Sequence, residues 1–545
     1  MKTIIETSFI EECLNILIDF CNKEDYDEFI EPNVPLSVLE RESELDVRAE
    51  KCDVAFSPSS RHRKAPPTAP LVAAIADVIN NISTYKHADV KRWNEQGLYR
   101  ILFRCACWTS EDPSESSGVR AAACRALVVA ATHRCVRAAL ANTVDCLHEF
   151  TDNLILCSQI NDKCDMELSA VTQSYLLLAS LLQEEPAKDT IWKELKSEKS
   201  TLFFHLLLES LENSNADERW RRVCACLASL LRASVRARAY GTHRRLPRAL
   251  ATALQRIRDA LSLQGKSAEV IRSSNSDPIL ETLHWLLTLM SCLMIDSPAV
   301  KESLCDEHIE ISLVRLWPWC MMTETLRTDL LLLLVNFTNN CPKAWSRLCV
   351  CVSGRSVLGE ACALAVREAA RVRAPALLAA VYRVLTNCTP NHHCRSVMIK
   401  SELVSSAVRS CVRSSAAAGL CAALARYADG AGAVAGALPP APPRRLLPAL
   451  AHAAHHARQL CLQSQDILEL FSSALLAGDT SEVVTAARAI WALAANNHRA
   501  KLILRTNGLA SAVESGLQRL AKLTNGEAER AVQLLQYTHT VLQTS

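Results

Sequence analysis

A leucine-rich helical phrase returns along this chain roughly every fifty residues, and few folds accommodate such a return. Its clearest copies run Leu331–Trp345 (LLLLVNFTNNCPKAW), Arg383–Cys394 (RVLTNCTPNHHC) and Leu176–Asp189 (LLLASLLQEEPAKD), with weaker ones at Leu289–Ser303 and Ile490–Lys501. Each closes an apolar helix and passes through a short polar turn, and three carry a proline six residues beyond an anchor position, at Pro186, Pro298 and Pro342. Ungapped registration puts the anchors at Asn81, Ala130, Ser180, Ser229, Cys292, Asn336, Asn387, Ala425 and Leu493, at intervals of 49, 50, 49, 63, 44, 51, 38 and 68 residues. A block of this size cannot bury its apolar face alone, whereas stacked copies bury a continuous core. The pattern predicts an all-α, right-handed superhelical solenoid of about nine armadillo/HEAT-like helical repeats.

Composition agrees with that reading. A chain of 545 residues exceeds what one hydrophobic core serves, but a solenoid has no such ceiling because each repeat touches only its neighbours. Hydrophobic residues make up 49%, aromatics only 5%, and there are just 14 glycines, too few turn formers for a sheet protein of this length. A net charge of +2 gives no global attraction to nucleic acid or to a membrane surface. The 24 cysteines fall singly on apolar helical faces, as at Cys13, Cys124, Cys292 and Cys421, which reads as small buried hydrophobes in a reducing, cytoplasmic setting. Glu6, Glu11 and Glu12 interrupt the N-terminal apolar run, so no signal peptide is expected. No window reaches the roughly 18 apolar residues of a membrane-spanning helix.

The expected organisation has an N-terminal helix or partial repeat over 1–24, then a flexible linker over 25–66, acidic at first and Ser/Arg/Pro-rich after. A repeat domain over 67–545 follows, with loop insertions near 233–278 and 429–446. The insertions coincide with the two long intervals. The first holds VRARAYGTHRRLPRAL and SLQGKSAEVIRSSNSDP, and the second holds DGAGAVAGALPPAPPRR, whose glycines and prolines are expected to break a helix.

Catalytic signatures are missing: there is no HExxH, GxSxG, Walker A or CxxC, so no catalytic residue, metal, cofactor or small-molecule substrate is expected. Cys388, His392, His393 and Cys394 bunch at one repeat turn without the paired spacing of a zinc site, and His452, His455 and His456 share a helix face that reads as polar surface. Asn81, Asn336 and Asn387 each begin an Asn-x-Ser/Thr sequence, but their place at apolar helix ends argues against glycan attachment. Eleven arginines between Ala216 and Arg258 face only Asp217 and Glu218. Arg221, Arg222, Arg244 and Arg245 are the candidate contacts there for acidic proteins or RNA, against the plainer reading of a solvated outer helix and loop.

Leu334-Val-Asn336-Phe-Thr-Asn-Asn-Cys-Pro342 resembles the armadillo repeat, as does Trp491-Ala-Leu493 with Asn496 and Asn497 in the turn. Armadillo proteins that carry extended peptides hold the peptide backbone with a ladder of asparagines. The resemblance therefore implies Asn81, Asn336 and Asn387 as candidate binding rungs, with helix capping as the alternative. The remaining anchors carry Ala130, Ser180, Ser229, Cys292, Ala425 and Leu493, which breaks the ladder and argues against a nuclear-import adaptor. Within armadillo-like proteins, Ser481–Leu517 and Asp329–Trp345 are similar to the C-terminal region of the rotatin family, armadillo-like scaffolds much longer than this chain. That resemblance implies a non-catalytic scaffold binding other proteins, centriolar or ciliary ones, at the centrosome and the ciliary basal body. A cytosolic or nuclear adaptor for transport or chaperone regulation, and an RNA-binding helical repeat, are the competing readings.

Overall fold

The computed structural model describes residues 8–27, 68–84, 89–110, 112–159, 165–184, 187, 218–233, 235–243, 245–263, 278–371, 374–523 and 526–544. Every regular element among them is a helix; one isolated bridge joins Val352 to Arg355. Two compact units divide the chain, residues 1–237 and 238–545.

The recurring phrase explains how a repeat is built. In Glu324–Thr338, the Thr323 side chain accepts from the Leu326 amide at 3.2 Å, and Leu326, Leu330, Leu331, Leu333, Leu334 and Phe337 are buried. The helix ends because Asn340 takes a left-handed backbone, φ +53°, which a short polar side chain tolerates and a bulky apolar one resists. Asp296 (φ +48°) and Asn496 (φ +55°) do the same in their own turns. A short helix then restarts with Pro298, Pro342 or His498 as its first residue, a position where proline's missing N–H costs nothing.

In the 238–545 unit, a short helix, a middle helix and a closing helix follow one another. Pro298–Asp306, Ile309–Cys320 and Glu324–Thr338 form one such repeat, and Pro342–Leu348, Val357–Arg371 and Pro375–Cys388 form the next. The closing helices pack side by side as a ladder: Pro278–Leu293, Glu324–Thr338, Pro375–Cys388, Ser415–Ala425, Leu447–His456, Thr480–Ala494 and Gly526–Gln543. The 1–237 unit has its own ladder of Ala69–Ser83, Pro113–Ala130, Asp165–Leu181 and Glu218–Ala233. In Pro113–Ala130 the buried residues include Ala121, Ala122, Ala123 and Ala126, so neighbouring ladder helices approach closely.

Polar groups at the helix ends are consumed between repeats. The fourth residue of the short helix repeatedly donates to carbonyls that end a closing helix. Arg137 bonds Ala131 O (2.9 Å) and Thr132 O (3.2 Å), Trp345 bonds Thr338 O (2.7 Å), and Arg395 bonds Thr389 O (2.9 Å) and Pro390 O (3.2 Å). Lys301 and Lys501 reach instead to the next closing helix, at Asn339 O (2.8 Å) and Thr544 O (3.1 Å). These donors satisfy carbonyls that the helix itself leaves open and whose partial negative charge favours a cation.

Three expectations about organisation change. The long interval before Leu493 is no loop insertion, because Leu447–His456 stands in it as a complete ladder helix packed between Ser415–Ala425 and Thr480–Ala494. Residues 428–436 of the Gly-rich stretch are helical, and non-helical chain is confined to 437–443 before a short 3-10 turn at Arg444–Leu446. Gly430 permits this: a Cβ there would stand 2.2 Å from the Leu424 carbonyl oxygen. Within 233–278, Val235–His243 and Leu246–Leu263 are helices, while 264–277 lie outside the described residues.

The N-terminal helix extends over Ser8–Asp27 and packs on Leu98–Cys107, with the Phe20 and Trp108 rings 4.8 Å apart and the Cys21 and Cys105 sulfurs at 3.6 Å. It therefore joins the repeat stack as a middle helix. Most of the linker expected over 25–66, and Pro186, lie outside the described residues.

Candidate binding surfaces

The anchor position proves to be where one ladder helix meets the one before it. Asn336 Nδ2 donates to Ser291 O (3.2 Å) and Ser291 Oγ (2.8 Å), and Asn387 Nδ2 donates to Val335 O (3.2 Å) and Thr338 Oγ1 (3.0 Å). Both amides are half-buried and commit their donors to the preceding repeat. Ser180 and Ser229 turn their hydroxyls back to their own helices, at Leu176 O (3.1 Å) and Ala225 O (2.9 Å). Ala130, Cys292, Ala425 and Leu493 are buried. Asn81 alone among the anchor asparagines is exposed. Sequence reasoning found these positions but not their direction, since the acceptors lie some 45 to 52 residues away along the chain.

Three of the four candidate arginines are among the described residues, and they fall on both units. Arg221 and Arg222 are half-buried on Glu218–Ala233 in the first unit, and Arg245 is exposed in the second with φ +61°. Arg244 lies outside the described residues. Arg258, at the end of the same arginine-rich stretch, pairs with Asp259 at 2.8 Å and donates to Ser312 Oγ at 3.3 Å.

The cysteine-histidine bunch is split by burial. Cys388 and Cys394 are inside, Cys394 with its sulfur 3.2 Å from that of Cys349 in the preceding repeat, while His392 and His393 are exposed. Burial also pushes thiols up, Cys124 to about 11 and Cys320 to about 12, which keeps them protonated and poor nucleophiles. They behave as packing residues.

A cavity of 820 Å³ opens between two consecutive repeats of the second unit, floored by Val366, Leu378 and Ala379. The buried Glu368 at its edge is held by Arg367 (3.7 Å) and Arg371 (3.5 Å). Arg409 and Arg413, also on the rim, are exposed, and neither has an ion pair among the described residues. Glu402, also exposed, and the hydroxyls of Ser406, Ser410 and Ser414 add to the lining, so the cavity joins an apolar floor to a mixed polar rim.

Comparison with known proteins gives the fold and one distant relative. No family model matches the chain. Over 212 residues, 36% of its length, the chain is 24% identical to human Rotatin, and it spans only 10% of that protein. Among solved structures, it superposes on an engineered protein with a TM-score of 0.56 at 14% identity, covering 87% of this chain and 96% of the other. SYS-1 matches with a TM-score of 0.50 at 10% identity, covering 87% of this chain and 82% of that one. The chain is thus an all-α solenoid of helical repeats, the fold it shares with these two structures. No helix among the described residues is long and apolar enough to cross a membrane.

Proposed function

We propose that this chain is a non-catalytic armadillo-like scaffold that binds partner proteins in centriole assembly or maturation and in organisation of the ciliary basal body. The match to human Rotatin carries the cellular part of this reading. The physical part rests on the ladders. Their closing helices bury apolar faces against each other, satisfy their own polar ends across repeats, and leave one solvent-facing row of side chains per unit for partners. Asn336 and Asn387 spend their amide donors internally, which weighs against an adaptor that grips an extended peptide backbone through them.

A tagged full chain expressed in dividing cells should concentrate at centrosomes, and proximity labelling there should enrich centriolar proteins. A purely diffuse signal with no such enrichment overturns the centriolar assignment.

A further inference from the structure

The ladder helices of the second unit divide by charge in a way that the sequence order hides. Pro278–Leu293 and Glu324–Thr338 carry carboxylates, and one of these, Asp329, bonds His284 Nδ1 at 2.5 Å. The next four ladder helices, from Pro375 to Ala494, carry a single carboxylate, Glu482, which Arg444 holds at 3.3 Å. On the same four helices and their ends stand Arg383, Arg426, His455, His456 and Arg488, all exposed, with His452 half-exposed.

These groups share one surface. Each of the four helices has ladder neighbours on both sides and is backed by another helix of its own repeat, so one face remains to solvent. Arg426 at the end of one helix is close enough to His452 on the next to lower its proton affinity. His455 and His456 add to that effect, and burial of the ring contributes most. Between the cations the floor is made of small residues, among them Ala380, Gly419, Ala423 and Ala451, so a partner chain can approach the helix backbones. The 820 Å³ cavity adjoins this face through Leu378 and Ala379 of its first helix.

We propose that this face, from Arg383 to Arg488, is a docking surface for an acidic segment of a partner protein. Charge complementarity selects the occupant: three arginines and three histidines, against Glu482 held by Arg444 and the helix-capping Asp479 that accepts from the Glu482 amide, attract glutamate- or aspartate-rich chain. Nucleic acid fits less well, because Tyr382 is buried and the half-exposed Trp491 packs against Tyr537 at 6.3 Å, so no tyrosine or tryptophan on these helices is fully exposed for bases to stack on, and the exposed rings are only the imidazoles of His455 and His456. The inference rests on the scaffold reading and names the partner chemistry of one of its surfaces.

Protonation strengthens the attraction. Around the three histidines, the cations are Arg426, Arg445, Arg458 and Arg488 from neighbouring elements. The acids there are Asp429, held by Arg395 at 3.0 Å, Asp466, which accepts from the Ala441 amide at 3.4 Å, Glu469, bonded to Gln465 at 3.1 Å, and Glu482, held by Arg444. A carboxylate-rich ligand supplies the counter-charge that the free surface lacks, so binding takes up protons and tightens as the medium is acidified.

Fluorescence anisotropy of the full chain with a labelled peptide of alternating glutamate and alanine tests this, beside its lysine counterpart and a single-stranded oligouridine of matched length. The glutamate peptide should bind, the lysine peptide should not, and affinity should rise severalfold between neutral and mildly acid pH. Combined Arg383→Ala, Arg426→Ala and Arg488→Ala should weaken binding by about tenfold or more, while Lys at the same three positions retains it. Unchanged helical circular dichroism verifies that the variants fold. An unaffected alanine variant, no binding of the glutamate peptide, or tighter binding of oligouridine overturns the proposal. Centrosomal recruitment that survives in the alanine variant leaves the scaffold reading intact while removing this surface from it.

Discussion

Asn387 separates an internal clamp from a partner-binding rung. Its Nδ2 bridges to Val335 O and Thr338 Oγ1 at the end of the preceding ladder helix, at 3.2 and 3.0 Å. Both acceptors have other partners: Val335 O also receives the Asn339 amide at 3.1 Å, and the Thr338 hydroxyl donates to Leu334 O at 2.7 Å. Asn387→Ala therefore strips no group bare and should cost about 1–2 kcal/mol, two neutral hydrogen bonds at their net worth. Asn387→Asp keeps the shape but turns an acceptor toward a carbonyl, and it adds negative charge where the Glu324–Thr338 helix ends. That variant should lose more, about 2–4 kcal/mol. Urea unfolding of the full chain, with the denaturant slope unchanged, reads the difference as a shift in midpoint. Amide exchange at 335–339 should quicken in the same order. If Asn387→Asp is as stable as the parent, or more stable than Asn387→Ala, the clamp reasoning fails.

Two glycines of one helix should respond oppositely. Gly430→Ala places a methyl 2.2 Å from Leu424 O and should destabilise by about 1–3 kcal/mol. Gly432→Ala meets nothing within 4 Å and should stabilise by about 0.5–1 kcal/mol, both read by thermal unfolding. Acid should weaken the second unit through His452 and His455, whose folded proton affinities are lowered chiefly by desolvation. The unfolded chain then binds more protons, so stability is full above the ordinary imidazole pKa of about 6.5 and falls as pH drops through the lowered folded values. Replacing both by Gln should flatten the pH dependence of the unfolding midpoint over that window, and an unchanged slope would count against the assignment.

The recurring leucine phrase and the asparagine anchors show how far pattern alone reaches. The period was legible because stacking demands the same apolar spacing in each copy, and three copies also share a left-handed turn residue, at Asp296, Asn340 and Asn496. The helix that carries His452, His455 and His456 was legible, but its place in the ladder was not. Its Pro448 and three histidines lack the leucine phrase, and the glycines before it look like a loop until Gly430 is seen fitting against Leu424 O.

By itself, then, the sequence determined the helical repeat and its turns, because periodicity and turn chemistry are local properties. Tertiary structure decided which polar groups face inward and which basic groups share a surface. Asn336 and Asn387 became clamps, and Arg426 came beside His452, only when helices distant in the chain packed side by side. Such pairings depend on through-space adjacency, and no spacing within one repeat records it.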